Sequence, residues 1–172
     1  MIINASPIII LTKINQLEIL KKTYGSIEIA SSVYQEVVVN GLRINFRDAL
    51  VVKEQIDSKN INVLSLRPEF TEKAKKIESI CGIDIGEAET IALALQLNKN
   101  EVIIDEIDAR EAAKAFGIKP IGTLRVLLIA YKNGLINKAE IQELVNEMEN
   151  SKYRFSPKVL IEFWNLFKNV KK

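Results

Sequence analysis

Carboxylates are the groups in this sequence that could do chemistry. The 172 residues contain no histidine and a single cysteine, Cys81. Histidine-based zinc sites and the Ser-His and Cys-His catalytic arrangements are thereby excluded. So is an intrachain disulfide, and with it a bridge-stapled secreted fold. Acids that a fold could gather are Glu87 and Glu89 within D-I-G-E-A-E-T and Asp105 at the head of D-E-I-D. Asn4 offers a neutral amide oxygen near the start. Magnesium and manganese want oxygen ligands and often keep several waters beside one or two carboxylates. Two such ions can activate a water and stabilise the leaving oxygen of a phosphodiester. Acids clustered without a cation raise one another's pKa, so their meeting in one cleft would be informative.

The elements that must position these residues alternate between strand and helix. Ile2-Ile3 reads as a short apolar strand ending at Asn4, with Pro7 in the first turn of the helix behind it. Asn15 is expected to cap a segment through Lys22, stopped by Gly25. Residues 26–30 alternate as a second strand. Ser32 and Gln35 have capping-box spacing for a helix that should stop near Asn40 and Gly41. A helix over 46–57 precedes a strand over 62–66, and Pro68 opens a helix ending by Gly82. Residues 88–97 are apolar nearly all round, which predicts a buried helix. Residues 102–104 form a fully buried strand, followed at once by Asp105. A helix over 109–116, a weak strand over 118–121 and helices over 124–132, 138–149 and 157–170 complete the chain. Such alternation predicts a parallel sheet covered on both faces. Ligands in these sheets lie beyond the carboxyl ends of the strands, which is where Asn4, Asp105 and the start of the buried helix should meet.

Each candidate also has an ordinary structural reading. Asn4 suits a turn, and Ser6 suits an N-cap before Pro7. Glu36 lies mid-helix, where a charge usually faces water. Asp84 and Glu87 have the spacing of an acidic capping box. Glu89, about 200° around the helix from Glu87, precedes an apolar stretch and is the slightly better placed of the two. Asp105 or Asp108 could cap the helix that follows, and Thr123 after Gly122 reads as an N-cap. Phe155, Phe163, Trp164 and Phe167 could stack bases, but their helical spacing reads first as packing or a partner surface.

The opening I-I-N-A-S-P-I-I, then V-Y-Q-E-V, G-E-A-E-T-I-A-L-A and V-I-I-D-E-I-D-A-R resemble, in order, the PIN-domain family. The continuation G-I-K-P-I-G-T-L-R-V-L-L points to a little-characterised prokaryotic branch of it. The resemblance implies a PIN-like three-layer α/β/α sandwich with a central parallel sheet, and metal-dependent cleavage of RNA with Mg2+ or Mn2+. It places the first acidic ligand at Asn4, a departure from active members, with Ser6 as the small hydroxyl beside it. Glu36 matches the second acidic position and Glu87 or Glu89 the third. Asp105 and Asp108 are the preferred residues of the fourth region. It also implies the toxin half of a toxin–antitoxin pair, hence an antitoxin partner, and a homodimer. Asn4 feeds the alternative, a catalytically impaired domain that binds nucleic acid or protein.

Composition agrees with one soluble domain: 48% hydrophobic and 27% charged residues are ordinary for a folded protein. A core over residues 1–133 and a helical extension over 134–172 packed on it are expected. The net charge of +2 is too small to announce nucleic-acid binding. Lys152, Arg154, Lys158, Lys168, Lys171 and Lys172 do make the last stretch basic. The apolar first eleven residues are too short to span a bilayer and read poorly as a signal peptide, so a cytoplasmic protein without membrane association is expected.

Overall fold

The computed structural model describes residues 1–44, 47–151 and 153–170. At its centre lies an all-parallel, five-stranded sheet, made of β1 (Ile2–Ile3), β2 (Ile27–Ala30), β3 (Ile61–Leu64), β4 (Glu101–Ile103) and β5 (Lys119–Ile121). The strand order is β3-β2-β1-β4-β5, and helices on both faces complete the three-layer α/β sandwich. Two residues suffice for β1 because both are fully buried between neighbours on either side. Burial of each such side chain stabilises the fold by about 1.5–3 kcal/mol. Register in the centre is Ile2 beside Val102 and Ile3 beside Ile103; one strand on, Ile103 lies beside Ile121.

The connections differ from the sequence expectation in instructive places. Asn15 does not cap a helix; it takes a left-handed backbone (φ 53°) between α1 (Ala5–Lys13) and α2 (Glu18–Tyr24). Asn tolerates that conformation better than most residues. Helix α3 (Ser31–Tyr34) runs on through a π-helical stretch, Gln35–Asn40, into α4 (Gly41–Arg43). Its N-cap position is Ala30, so the Ser32–Gln35 capping box does not form. Gly41 does not stop the helix either. Its backbone is helical, and a side chain there would come 2.8 Å from Ala49 Cβ on α5 (Arg47–Asp57). The glycine permits that close approach. Phe46, the expected start of α5, lies outside the described residues.

Further on, α6 (Pro68–Cys81) ends on left-handed Gly82, and α7 (Ile85–Gln96) is buried over most of its circumference. Then come α8 (Ile107–Ala115), α9 (Thr123–Lys132), α10 (Lys138–Asn150) and α11 (Pro157–Asn169). Phe163 and Phe167 of α11 are buried, and the Phe167 ring sits 4.9 Å from that of Tyr131 on α9. The C-terminal helices thus share the main core. Lys152, Lys171 and Lys172 of the basic stretch lie outside the described residues. Among the described residues no helix is long and apolar enough to cross a membrane.

Candidate functional site

Asn4 is the residue on which the carboxyl ends of the central strands converge. Its backbone N–H continues the β1–β4 ladder by donating to the Ile103 carbonyl at 2.9 Å. The side chain is buried, 3% exposed. Its Oδ1 accepts from Thr90 Oγ1 of α7 at 3.3 Å, and its Nδ2 donates to Glu106 Oε2 at 3.5 Å.

Gly86, in the first turn of α7, lies beside Asn4. A methyl group placed there would meet Asp84 Oδ1 at 3.2 Å, Glu36 Oε2 at 3.5 Å and Asn4 Oδ1 at 3.8 Å. Three oxygens from three separate segments therefore lie within 4 Å of one point, which a side chain at position 86 would crowd. Glu36 arrives there from the π-helical stretch, a rare widening of the helix found often at functional sites. Asp84 is held by its capping box: its Oδ1 accepts from the Glu87 N–H at 2.8 Å, while Glu87 Oε2 accepts from the Asp84 N–H at 3.0 Å.

The pocket is electrostatically tense. Partial burial, followed by repulsion from Asp84 and Glu106, pushes the Glu36 carboxyl above its ordinary range. Burial chiefly, with Asp84, Glu106 and Asp108 adding repulsion against the favourable Asp84 N–H, pushes Glu87 up to about 7. Folded protein then keeps protons that the unfolded chain has released, so these groups make stability fall as pH rises between about 4.5 and 7. Glu28 is shifted the other way: burial alone would raise its pKa, but its bonds to the N-terminus and Ser26 outweigh burial and lower it. In chelator, the melting temperature is expected to be lower at pH 7.5 than at pH 5, and Glu87→Gln to flatten the difference. A thermal scan in which wild type and variant keep the same slope would refute this assignment.

The remaining candidates are placed as follows. Glu89 turns to the other side of α7, where its Oε2 accepts from the Ser32 N–H at 3.1 Å and secures the start of α3. The acidic neighbourhood falls to Glu87, not to Glu89, the better placed of the two on sequence grounds. Asp105 is engaged elsewhere. It accepts from Thr123 N–H at 2.7 Å, Thr123 Oγ1 at 2.5 Å and Tyr153 OH at 2.5 Å. Burial outweighs those three bonds and raises its pKa. Its neighbour Glu106 is the one that faces Asn4. Thr123 is consequently the first helical residue of α9, with Gly122 at the N-cap position, and it serves Asp105. Ser6 lies inside the first turn of α1, half-buried, and Asn4 holds the N-cap position. Asp108 is exposed on the first turn of α8.

From the sequence Asp84 reads only as a cap and Glu106 stands behind Asp105 and Asp108; in the structure Asp84 Oδ1 lies near Asn4 and Glu36, and Glu106 faces Asn4. Asp84 does cap, and its capping oxygen also borders the pocket. The glycine two residues later was the available signal.

Magnesium or manganese suits this donor set by its chemistry: hard oxygens, mutually repelling, around a space a single carbon would fill. Among the described residues no three acidic or cysteine side chains are grouped so that they could hold a metal ion by themselves. The arrangement is an open one, completed on one side by the Asn4 amide oxygen. Compared with known proteins, residues 1–169 match the family model of the PIN domain. No curated protein matches the chain.

Proposed function

The chain belongs to the PIN-domain family, whose members are generally nucleases, and from that premise we propose that it is a divalent-metal-dependent endoribonuclease. The observation that carries this reading is the set of oxygens of Asn4, Glu36 and Asp84 around the side-chain-free space at Gly86, with Glu106 behind Asn4. These are the residues that would hold Mg2+ or Mn2+. When bound, the ion supplies water activation and charge neutralisation at the scissile phosphate. The protein's own groups do the positioning. The Asp84–Glu87 capping box fixes one carboxylate on the rigid start of α7. The Thr90 hydroxyl holds the Asn4 amide so that its oxygen faces the pocket. The π-helical stretch carries Glu36 Oε2 to within 3.5 Å of the same point.

The test is a time course of labelled single-stranded RNA with manganese or with chelator, using wild type and Glu36→Gln. Cleavage that requires manganese and falls at least a hundredfold in the variant is expected. Equal, chelator-insensitive background in both would end the nuclease reading for that substrate. A second reading, a binding module that has lost catalysis, draws on the neutral Asn4, and the same assay decides between them. In the toxin form of the activity, expression arrests growth and Glu36→Gln relieves the arrest.

A further inference from the structure

Beside the acidic pocket lies a second concavity, a cleft of about 740 Å³ between β5 with α9 on one wall and α11 with residues 153–156 on the other. The two spaces share a rim. Glu106, which faces Asn4, also lines the cleft and so stands between the two. Its volume is that of a pocket for a small ligand, about 300–1,000 Å³, which suits a nucleotide or two and not a duplex.

Its lining carries as many acids as bases, but two of the acids are already engaged, Glu101 by Lys119 and Asp105 by Thr123 and Tyr153. Arg110 stands at the shared rim, with one guanidinium nitrogen donating to the Ile104 carbonyl at 2.9 Å. Arg125 and Arg154 are exposed farther along. None of the three has a carboxylate partner among the described residues, whereas Lys119 in the same cleft is already bound to Glu101 at 2.7 Å. Glu106 at the rim and Glu162 from α11 are the acids left to oppose the three arginines. Tyr153 and Phe155 are only partly buried, and their rings meet edge to face at 5.2 Å. Guanidinium forks match phosphate oxygens, and neighbouring aromatic rings offer bases a stacking surface.

The geometry points to this cleft as the binding track for the single-stranded RNA flanking the scissile phosphodiester. Arg110, Arg125 and Arg154 hold its phosphates, and Phe155 stacks a base. The assignment rests on the nuclease reading of the acidic pocket, which decides what strand the cleft receives.

The experiment measures binding without cutting. A fluorescein-labelled ten-nucleotide RNA is titrated with the full chain in chelator and followed by anisotropy. An Arg125→Gln/Arg154→Gln pair is expected to weaken binding at least tenfold. It should also lower the slope of log affinity against log salt by about 1.4, two phosphate contacts at roughly 0.7 each. The Arg125→Lys/Arg154→Lys pair should recover most of the loss, which separates charge from folding. Phe155→Leu should weaken binding about fivefold or more. Lys59→Gln, before β3 at the other edge of the sheet, should change nothing. Wild-type affinity in the glutamine pair would overturn the assignment. So would equal binding of a duplex, or displacement of the RNA by polyglutamate of matched charge. Manganese time courses on the same proteins keep the two readings apart. Arginine-dependent binding without cleavage removes the nuclease and leaves the cleft. Cleavage and binding untouched by the glutamine pair remove the cleft and leave the nuclease.

Discussion

Replacing Asn4 by aspartate is expected to tighten manganese binding at least tenfold and to raise RNA cleavage with it. A hard anionic oxygen would take the place of a neutral one at the centre of the donor set, and a tenfold gain requires only about 1.4 kcal/mol. The same change has a cost that should be visible without metal. Asn4 is buried, and its Nδ2 is the donor that faces Glu106. Aspartate removes that donor and sets two carboxylates against each other, a loss of about 1–3 kcal/mol for an unsatisfied buried group and more for a charged one. Asn4→Asp should therefore melt below wild type in chelator and above it in saturating manganese. Calorimetric titration and thermal scans read the two effects separately. Unchanged manganese affinity in Asn4→Asp would exclude Asn4 from the ligand set. The companion substitution is Glu106→Gln, which should reduce metal affinity. Asp105→Asn is unsuited to that purpose, although similar size suggests it would leave the fold intact. Asp105 accepts three hydrogen bonds, and an amide NH2 in its place would oppose one or more of those donors.

Gly86→Ala is expected to abolish the site while sparing the fold. In the first turn of α7, alanine favours the helix over glycine by roughly 0.5–1 kcal/mol, which offsets part of the cost of crowding the Asp84 cap, so the melting temperature should fall only slightly. The added methyl would nevertheless occupy the point that Asp84, Glu36 and Asn4 face. Its nearest neighbour, Asp84 Oδ1 at 3.2 Å, cannot yield freely because it caps the Glu87 N–H. Manganese affinity is expected to fall at least tenfold and cleavage at least a hundredfold. Circular dichroism establishes folding, and calorimetry with the RNA time course establishes the loss. Full manganese binding in Gly86→Ala would show that an ion, if bound, sits elsewhere. This substitution probes the space itself and removes no candidate ligand.

Much of the frame was legible in the residues. Apolar pairs and triplets ending in polar residues announced β1 and β4. Strand–helix alternation announced a parallel sheet. The spacing of Asp84 and Glu87 announced a capping box, and residues 88–97 a helix without a wet side. Local chemistry determines all of these within a turn or two of the chain. Two long-range effects were not legible. The π-helical stretch at Gln35–Asn40 and the close seat of Gly41 on Ala49 depend on how α5 packs against the helix before it. Neither leaves a local signal.

Which of Asp105, Glu106 and Asp108 lies beside Asn4 follows from register. With Ile3 beside Ile103, Asn4 falls level with Ile104, and the next side chain on that face of the chain is Glu106. With Ile103 beside Ile121, Asp105 falls level with Thr123 and bonds to it. Side chains alternate along extended backbone, so shifting the pairing by one residue would exchange the two acids between the faces. The amino-acid sequence determined that carboxylates would stand at the carboxyl end of a buried strand. Which of them meets Asn4 was settled only when β1, β4 and β5 paired, because strand register is a property of the contacts between segments and of none of the segments alone.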